Sequence, residues 1–304
     1  MTIYRHGNKY RVDLMKNSKR KAYLFATYEE AKAFADAHEM EKRWSVETKT
    51  GDIRTRHALL PDEPYGIAFL SDLHFGSAYT DYAQAKADAI AIASTPGLYA
   101  VFHGDGIDNW ILPKMAGLQR GQAMPFDDEM KMFKEWLEML GRKLLVVVAG
   151  NHDNWTYSLA GIDFLKGLVN PQTYYDQHQA IFDIYAGSHR MRFAVRHKWR
   201  GSSILNPTHG MERAARDIDA DVYVGGHTHI ATLARYFTVR DRDRLAILTG
   251  TYKRWDSYGH ALGLPPSQHS GAGVLVVDPR KGHTFIKDVA EASDYLTWKR
   301  RKVK

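Results

Sequence analysis

Five short clusters of polar side chains hold the chemistry that this 304-residue sequence can perform. They are Asp72-Leu73-His74, Gly104-Asp105-Gly106-Ile107-Asp108, Gly150-Asn151-His152-Asp153, the single His197, and Gly226-His227-Thr228-His229. Carboxylate, imidazole and amide oxygen recur, and the chain has no cysteine, which excludes disulfides and thiolate metal sites. This donor set suits hard or borderline divalent ions such as Mn2+, Fe2+ or Zn2+. Glycine precedes three of the clusters, where it permits a sharp bend and a close backbone approach. Singly, each cluster has an ordinary reading as a turn, a loop or a satisfied core histidine. Five in order, each at the same kind of place, do not.

That place is the end of an apolar run. Residues 67–71, 99–103, 144–149, 191–196 and 222–225 each read as a buried strand that gives way to one cluster. Ligands of open α/β sheets bind beyond the carboxyl ends of the strands. Further strands are expected at 245–248 and 274–277, and helices at Tyr82–Ser94 and Phe126–Leu140. The alternation predicts an α/β layered fold. The closer spacing of the later strands predicts that part of the sheet is mixed or antiparallel.

The five clusters resemble the signature of the calcineurin-like metallophosphoesterase superfamily: Asp-x-His, Gly-Asp-x-x-Asp, Gly-Asn-His-Asp/Glu, His and Gly-His-x-His. The resemblance covers roughly residues 65–290. It implies a four-layer α/β sandwich of two mixed sheets flanked by helices, with two metal ions at the sheet edge. On that resemblance Asp72, His74 and His229 hold one ion, Asn151, His197 and His227 hold the other, and Asp105 bridges them. The single-residue block has no internal pattern, so His189 and His209 compete with His197. Two such ions lower the pKa of a bridging water and clamp both sides of an in-line displacement at phosphorus. The expected nucleophile is therefore a metal-bound hydroxide, with Mn2+ the first choice of metal and Fe2+ or Zn2+ alternatives. The resemblance gives the leaving-group proton to His152, with Asp108 as its orienting partner.

The formal charge of +7 is unevenly placed. Residues 1–22 carry seven cations against Asp13, a net of +6, and the last six residues carry +5, so everything between sums to −4. Basic ends point to a polyanion, nucleic acid before acidic membrane. Residues 1–43 read as three strands (2–6, 9–14, 21–25), a turn at Gly7-Asn8 and a helix opened by the Thr27/Glu30 capping box. That pattern resembles the small DNA-binding modules of phage integrases and some homing endonucleases. Residues 44–64 read as a linker with a hairpin about Thr50-Gly51-Asp52, 65–290 as the phosphoesterase domain, and 291–304 as a basic tail. Arg196 and Arg200 flank His197, with Lys198, and could meet further phosphates; Lys253 and Arg254, followed by Trp255 and Tyr258, mix charge with rings that could stack bases. Asn109-Trp110 stands where protein phosphatases of the superfamily have Arg-Gly, which counts against that substrate class.

The sequence thus predicts a dinuclear phosphoesterase acting on phosphodiesters, nucleic acid foremost. A small-molecule or nucleotide phosphoesterase is the alternative, and a non-catalytic nucleic-acid-binding protein the third choice. No apolar run is long enough to span a bilayer, no signal peptide is evident, and the lack of cysteine fits a reducing cytoplasm.

Overall fold

The computed structural model describes residues 3–16, 19–48, 54–111, 121–201, 203, 205–255, 260, 263 and 271–302. Strands β1 (Ile3–His6), β2 (Lys9–Lys16) and β3 (Lys19–Phe25) form a separate antiparallel sheet, followed by α1 (Tyr28–Arg43). The capping box forms: Glu30 N–H donates to Thr27 Oγ1 at 3.1 Å, and Thr27 N–H donates to the Glu30 carboxylate at 3.3 Å. Val12, Ala31 and Ala35 are buried, and Tyr23, Phe25 and Phe34 close around them with ring centroids 4.7–4.9 Å apart. Gly7, at φ +61°, supplies the left-handed residue that the first hairpin needs. The sequence also offers Lys16-Asn17-Ser18 as a second, looser turn, of which residues 17 and 18 lie outside the described residues.

Two larger sheets make the body. One runs in the order β16-β15-β6-β7-β8-β9 and the other β13-β14-β12-β11-β10-β5-β4. Their strands are β4 (Trp44–Thr48), β5 (Arg54–Leu60), β6 (Tyr65–Leu70), β7 (Leu98–Phe102), β8 (Leu144–Val148), β9 (Tyr174–Asp176), β10 (Ala180–Ala186), β11 (His189–Val195), β12 (Val222–Gly225), β13 (Leu233–Val239), β14 (Arg242–Leu248), β15 (Gly273–Asp278) and β16 (Gly282–Ile286). Period-two alternation divides each strand between two cores. Ile67, Phe69, Tyr99 and Val101 face the second sheet and meet Phe182, Phe193, Val224 and Ile247 from it. Their neighbours Ala68, Leu70, Ala100 and Phe102 face helices α2 (Tyr82–Ser94), α3 (Phe126–Leu140) and α7 (Val289–Arg301). On the far side of the second sheet, Ala194, Tyr223 and Ala246 pack with Met211 of α6 (His209–Ala214) and with Trp199. The result is the four-layer mixed α/β sandwich expected, with α2 and α3 at the expected bounds.

Two segments depart from expectation. Residues 44–64, read as a linker with a hairpin, do supply two antiparallel strands, β4 and β5, but these extend the seven-stranded sheet through the parallel β5–β10 contact instead of linking domains. Ala58 and Leu60 are buried in the inter-sheet core, so this stretch has a structural anchor that its arginines and threonines obscure. The turn at Thr50-Gly51-Asp52 lies outside the described residues. Residues 291–304, read as a basic tail, belong largely to α7, which is capped by Asp288 and buries Val289, Ala292 and Leu296 against the helical layer. Part of its charge is spent internally. Arg300 reaches the Pro64 carbonyl at 2.6 Å and pairs with Glu63, and Lys299 lies 3.5 Å from Asp278.

Topology fixes where the site must be. Strands β6, β7 and β8 are mutually parallel in one sheet, and β11, β12 and β14 in the other. All five polar clusters follow the carboxyl ends of these strands.

Candidate metal centre

The loops at those ends are bent in a way that side chains rarely tolerate. Eight non-glycine residues among those described have left-handed backbones, and six of them are Asp72, His74, Asp105, Asn109, His227 and His229. Strain of this kind, on the order of 1 kcal/mol or more per residue, persists where the surroundings over-determine it. Two glycines show what does so here. A Cβ on Gly150 would strike the Asp105 carboxylate and amide, and one on Gly226 would lie 2.6 Å from Asp72 Oδ2. Backbone from β8 and β12 therefore presses directly on carboxylates from β7 and β6.

Three groups of ligand atoms result, each within 4.8 Å: Asp72/His74/His229, Asp105/His197/His227 and His74/Asp108/His152. His229 Nε2 is 3.2 Å from Asp72 Oδ1 and 3.1 Å from His74 Nε2. His197 Nε2 is 3.1 Å from Asp105 Oδ2, and His74 Nε2 is 3.8 Å from the same oxygen. Asp105 thus lies between the two sets. Of the three candidate histidines His197 lies with Asp105 and His227, whereas His189 and His209 start β11 and α6. Asp72 Oδ1 and His197 Nε2 make no hydrogen bond despite these short approaches, and the buried Asn151 Oδ1, at the start of the helix after β8, makes none either. Oxygen and imidazole nitrogen that converge without hydrogen-bond geometry are the donors a divalent cation requires. The residues present therefore fit two metal ions.

The charge states agree. Burial works to raise Asp72 and Asp105, but His197 and its neighbouring imidazoles outweigh it and hold both below the usual carboxylate range. Burial holds His74 down, takes His227 down to about 4, and takes His152 down to about 3. Ionised carboxylates and neutral imidazoles are the forms that ligate metal. His197 differs: Asp105 and Asp72 overcome its burial and push it up to about 9, so its proton partly offsets negative charge at the centre.

A second ring of contacts orients the ligands. The Asp108 carboxylate lies 3.0 Å from His74 Nδ1, accepts from Trp110 Nε1 at 2.7 Å, and pairs with Lys253 Nζ at 2.7 Å. Its contact with His152 runs through the main chain, since His152 Nδ1 lies 2.5 Å from the Asp108 carbonyl. His197 Nδ1 donates to the His103 carbonyl at 2.9 Å. Asp153 accepts from the amides of Asp105, Gly106 and Gly150 at 2.8–3.1 Å, stitching the β7 loop to the start of α4 (Asn151–Ala160). The sequence signal that marks Asp153 is an acid in the first turn of a helix.

The expected substrate contacts scatter. Arg196 is half-buried, lies over Trp199 at 5.7 Å and bonds Gln179 at 3.3 Å. Arg200 is exposed in a turn. Lys253 is buried beneath the centre against Asp108 rather than on the surface, and Arg254 is exposed and pairs with Asp81. Trp255 packs edge-on to Tyr79 at 4.6 Å, and Tyr258 lies outside the described residues.

The profile of the calcineurin-like phosphoesterases matches residues 65–231, more than half of the chain. The chain belongs to that family. The match spans all five clusters of the phosphoesterase site. No curated protein matches the chain. Among solved structures, the zinc complex of Vps29 from Entamoeba histolytica is 12% identical and covers 74% of this chain and 99% of its own, with a TM-score of 0.40. A predicted phosphoesterase from Streptococcus pneumoniae is 12% identical over 74% of this chain and 90% of its own, with a TM-score of 0.35. A protein of unknown function from Aquifex aeolicus is 14% identical over 54% and 80%, with a TM-score of 0.33. Among the described residues, no helix is long and apolar enough to cross a membrane.

Proposed function

We propose that this phosphoesterase hydrolyses phosphodiesters with two divalent ions, Mn2+ first, and that nucleic acid is its substrate, in the cytoplasm. The observation that carries the hydrolytic reading is the pair of adjacent donor sets, Asp72/His74/His229 and Asp105/His197/His227, in which buried Asp72 Oδ1 and His197 Nε2 make no hydrogen bond. Ions held by Asp72, His74, Asp105, Asn151, His197, His227 and His229 would acidify a shared water and neutralise phosphoryl oxygens.

The chain's own residues supply the rest. Nδ1–H of His152 is committed to the Asp108 carbonyl, which leaves Nε2 for the leaving oxygen. Negative charge on an arriving phosphate raises the imidazole's proton affinity, so substrate itself favours the acid form. Asp108 serves His74 with its carboxylate and His152 with its carbonyl, and Lys253 offsets its charge. Arg196 and Arg200, which flank His197 in the sequence, would meet flanking phosphates. The exposed Arg5, Lys9 and Lys21 of the N-terminal sheet add cations of their own and favour a polymer.

One observation favours the small-molecule alternative. Lys253, Arg254, Lys299 and Arg300 are all engaged with acids of the same chain. Turnover of an aryl phosphodiester, an aryl phosphomonoester and single- and double-stranded DNA with Mn2+ decides between them. Cleavage of both DNA and the diester supports the proposal. Cleavage of the monoester alone removes the nuclease reading.

A further inference from the structure

Helix α4 begins inside the metal centre with Asn151 and His152, and its first turn is gripped from outside by Asn109. The Asn109 side chain donates from Nδ2 to the His152 carbonyl at 2.5 Å and to Thr156 Oγ1 at 3.1 Å. To do so it holds a left-handed backbone, φ +45°, and its main-chain N–H donates to Glu129 Oε2 at 3.0 Å. Glu129 lies at the start of α3, wholly buried, with its other oxygen accepting from Gln122. A Cβ on Gly76, two residues past His74, would collide with the same carboxylate, so Glu129 is wedged between two loops of the site. The imidazole of His152 has otherwise one polar hold, at Nδ1, and is flanked by Trp155 and Trp110 with centroids 3.9 and 4.9 Å away.

We propose that Asn109 is a positioning residue for the reaction: braced by Glu129, it fixes the first turn of α4 so that His152 Nε2 is aimed at the leaving oxygen. This rests on His152 being the leaving-group acid. The physical reason is leverage. The ring is set by where its helix starts, because rings on either side allow sliding and a single bond at Nδ1 allows rotation. A misplacement of about 1 Å of an acid can cost ~10²-fold in rate. The His152 N–H donates to Asp105 Oδ1 at 2.9 Å, and Asn109 holds the carbonyl at the other end of the same residue, which the Asp108 carboxylate, turned to His74, does not reach.

The test uses the full-length protein and two aryl methyl phosphates, one releasing p-nitrophenolate, which leaves without a proton, and one releasing phenolate, which needs one. Asn109→Ala is expected to lower kcat for the phenyl ester by ~10²-fold and for the p-nitrophenyl ester by only about threefold, with KM unchanged. Mn2+ affinity by calorimetry stays at the wild-type value. Glu129→Ala follows the same pattern, and Glu129→Gln, which keeps an acceptor for the Asn109 N–H, recovers most of the rate lost in Glu129→Ala. Equal losses on both esters, or weakened Mn2+ binding, overturn the inference. Asn109→Ser, a shorter side chain that cannot span to the His152 carbonyl, answers the same question if the alanine variant does not fold. His152→Ala is measured in parallel. If it too is indifferent to the leaving group, the acid assignment fails; if it is selective and Asn109→Ala is not, the positioning inference alone fails.

Discussion

The metal centre and the N-terminal sheet both concentrate charge, and they hold it in opposite ways. At the centre Asp72, His74, Asp105 and His197 are buried within a few ångströms of each other, the first three on left-handed backbone, and Asp72 Oδ1 and His197 Nε2 lack hydrogen bonds. In the N-terminal sheet Arg5, Lys9 and Lys21 stand exposed on unstrained strands above a small aromatic core. Burying an unsatisfied polar atom costs roughly 1–3 kcal/mol, so the first arrangement exists for a ligand that completes it. Exposed cations cost almost nothing and specify almost nothing. The buried donors specify a cation, whereas the exposed cations specify no more than negative charge.

Four changes break or sharpen that contrast. The largest effect is expected from Asp105→Ala, which removes the carboxylate between the two ligand sets: calorimetry should show Mn2+ binding lost at both, and turnover should fall to background. His152→Ala should keep both ions and lower turnover by ~10²–10⁴-fold, as loss of a general acid does. Asp108→Asn keeps the shape but unbalances the pair with Lys253 and the bond to His74, and should weaken Mn2+ binding by ~10–100-fold. Joint replacement of Arg5, Lys9 and Lys21 by Gln should leave hydrolysis of a small diester intact. It should reduce DNA affinity and flatten its salt dependence by about one logarithmic slope unit per cation. An unchanged slope would assign those cations to the solvent.

The smallest effect concerns pH. Burial lifts Asp88, which accepts from Tyr252 below the site, from 3.8 to about 6. A carboxyl raised on folding favours the native state below its unfolded value and loses that contribution as pH climbs to the folded value. Melting of the metal-free protein should therefore fall by a few degrees from pH 4 to 6, at about 2–4 °C per kcal/mol. Asp88→Asn should flatten that interval. A steeper fall in the variant would reverse the sign.

How much of this was legible in the sequence depended on whether residue type and spacing constrain one another. The ligand clusters did, because each had to end a buried strand: all seven strands expected after residue 65 are present, and His197 joins Asp105 and His227. What could not be read was the direction of side chains. Nothing in Gly-Asp-x-x-Asp says that the Asp108 carboxylate turns to His74 while its carbonyl serves His152. Lys253 reads as a surface cation next to Arg254, yet it closes a buried pair across 145 positions. Glu129 reads as one more acid in the first turn of α3, and only the packing of that helix brings it to Asn109. The β4–β5 hairpin was legible, but its membership of the seven-stranded sheet was not, because Arg54, Thr55 and Arg56 break the apolar run that marks a sheet strand. The helix over residues 289–301 was hidden by its cations, whose partners lie in distant loops.

The central claim, a metal-dependent phosphodiesterase with two ions per chain, is tested most directly by titrating the metal-stripped protein with Mn2+ while following hydrolysis of an aryl phosphodiester. Two ions bound per chain, with turnover appearing as the second site fills and vanishing on chelation, is the result expected. Fewer than two ions at saturation, or diester hydrolysis that survives chelation, would contradict it.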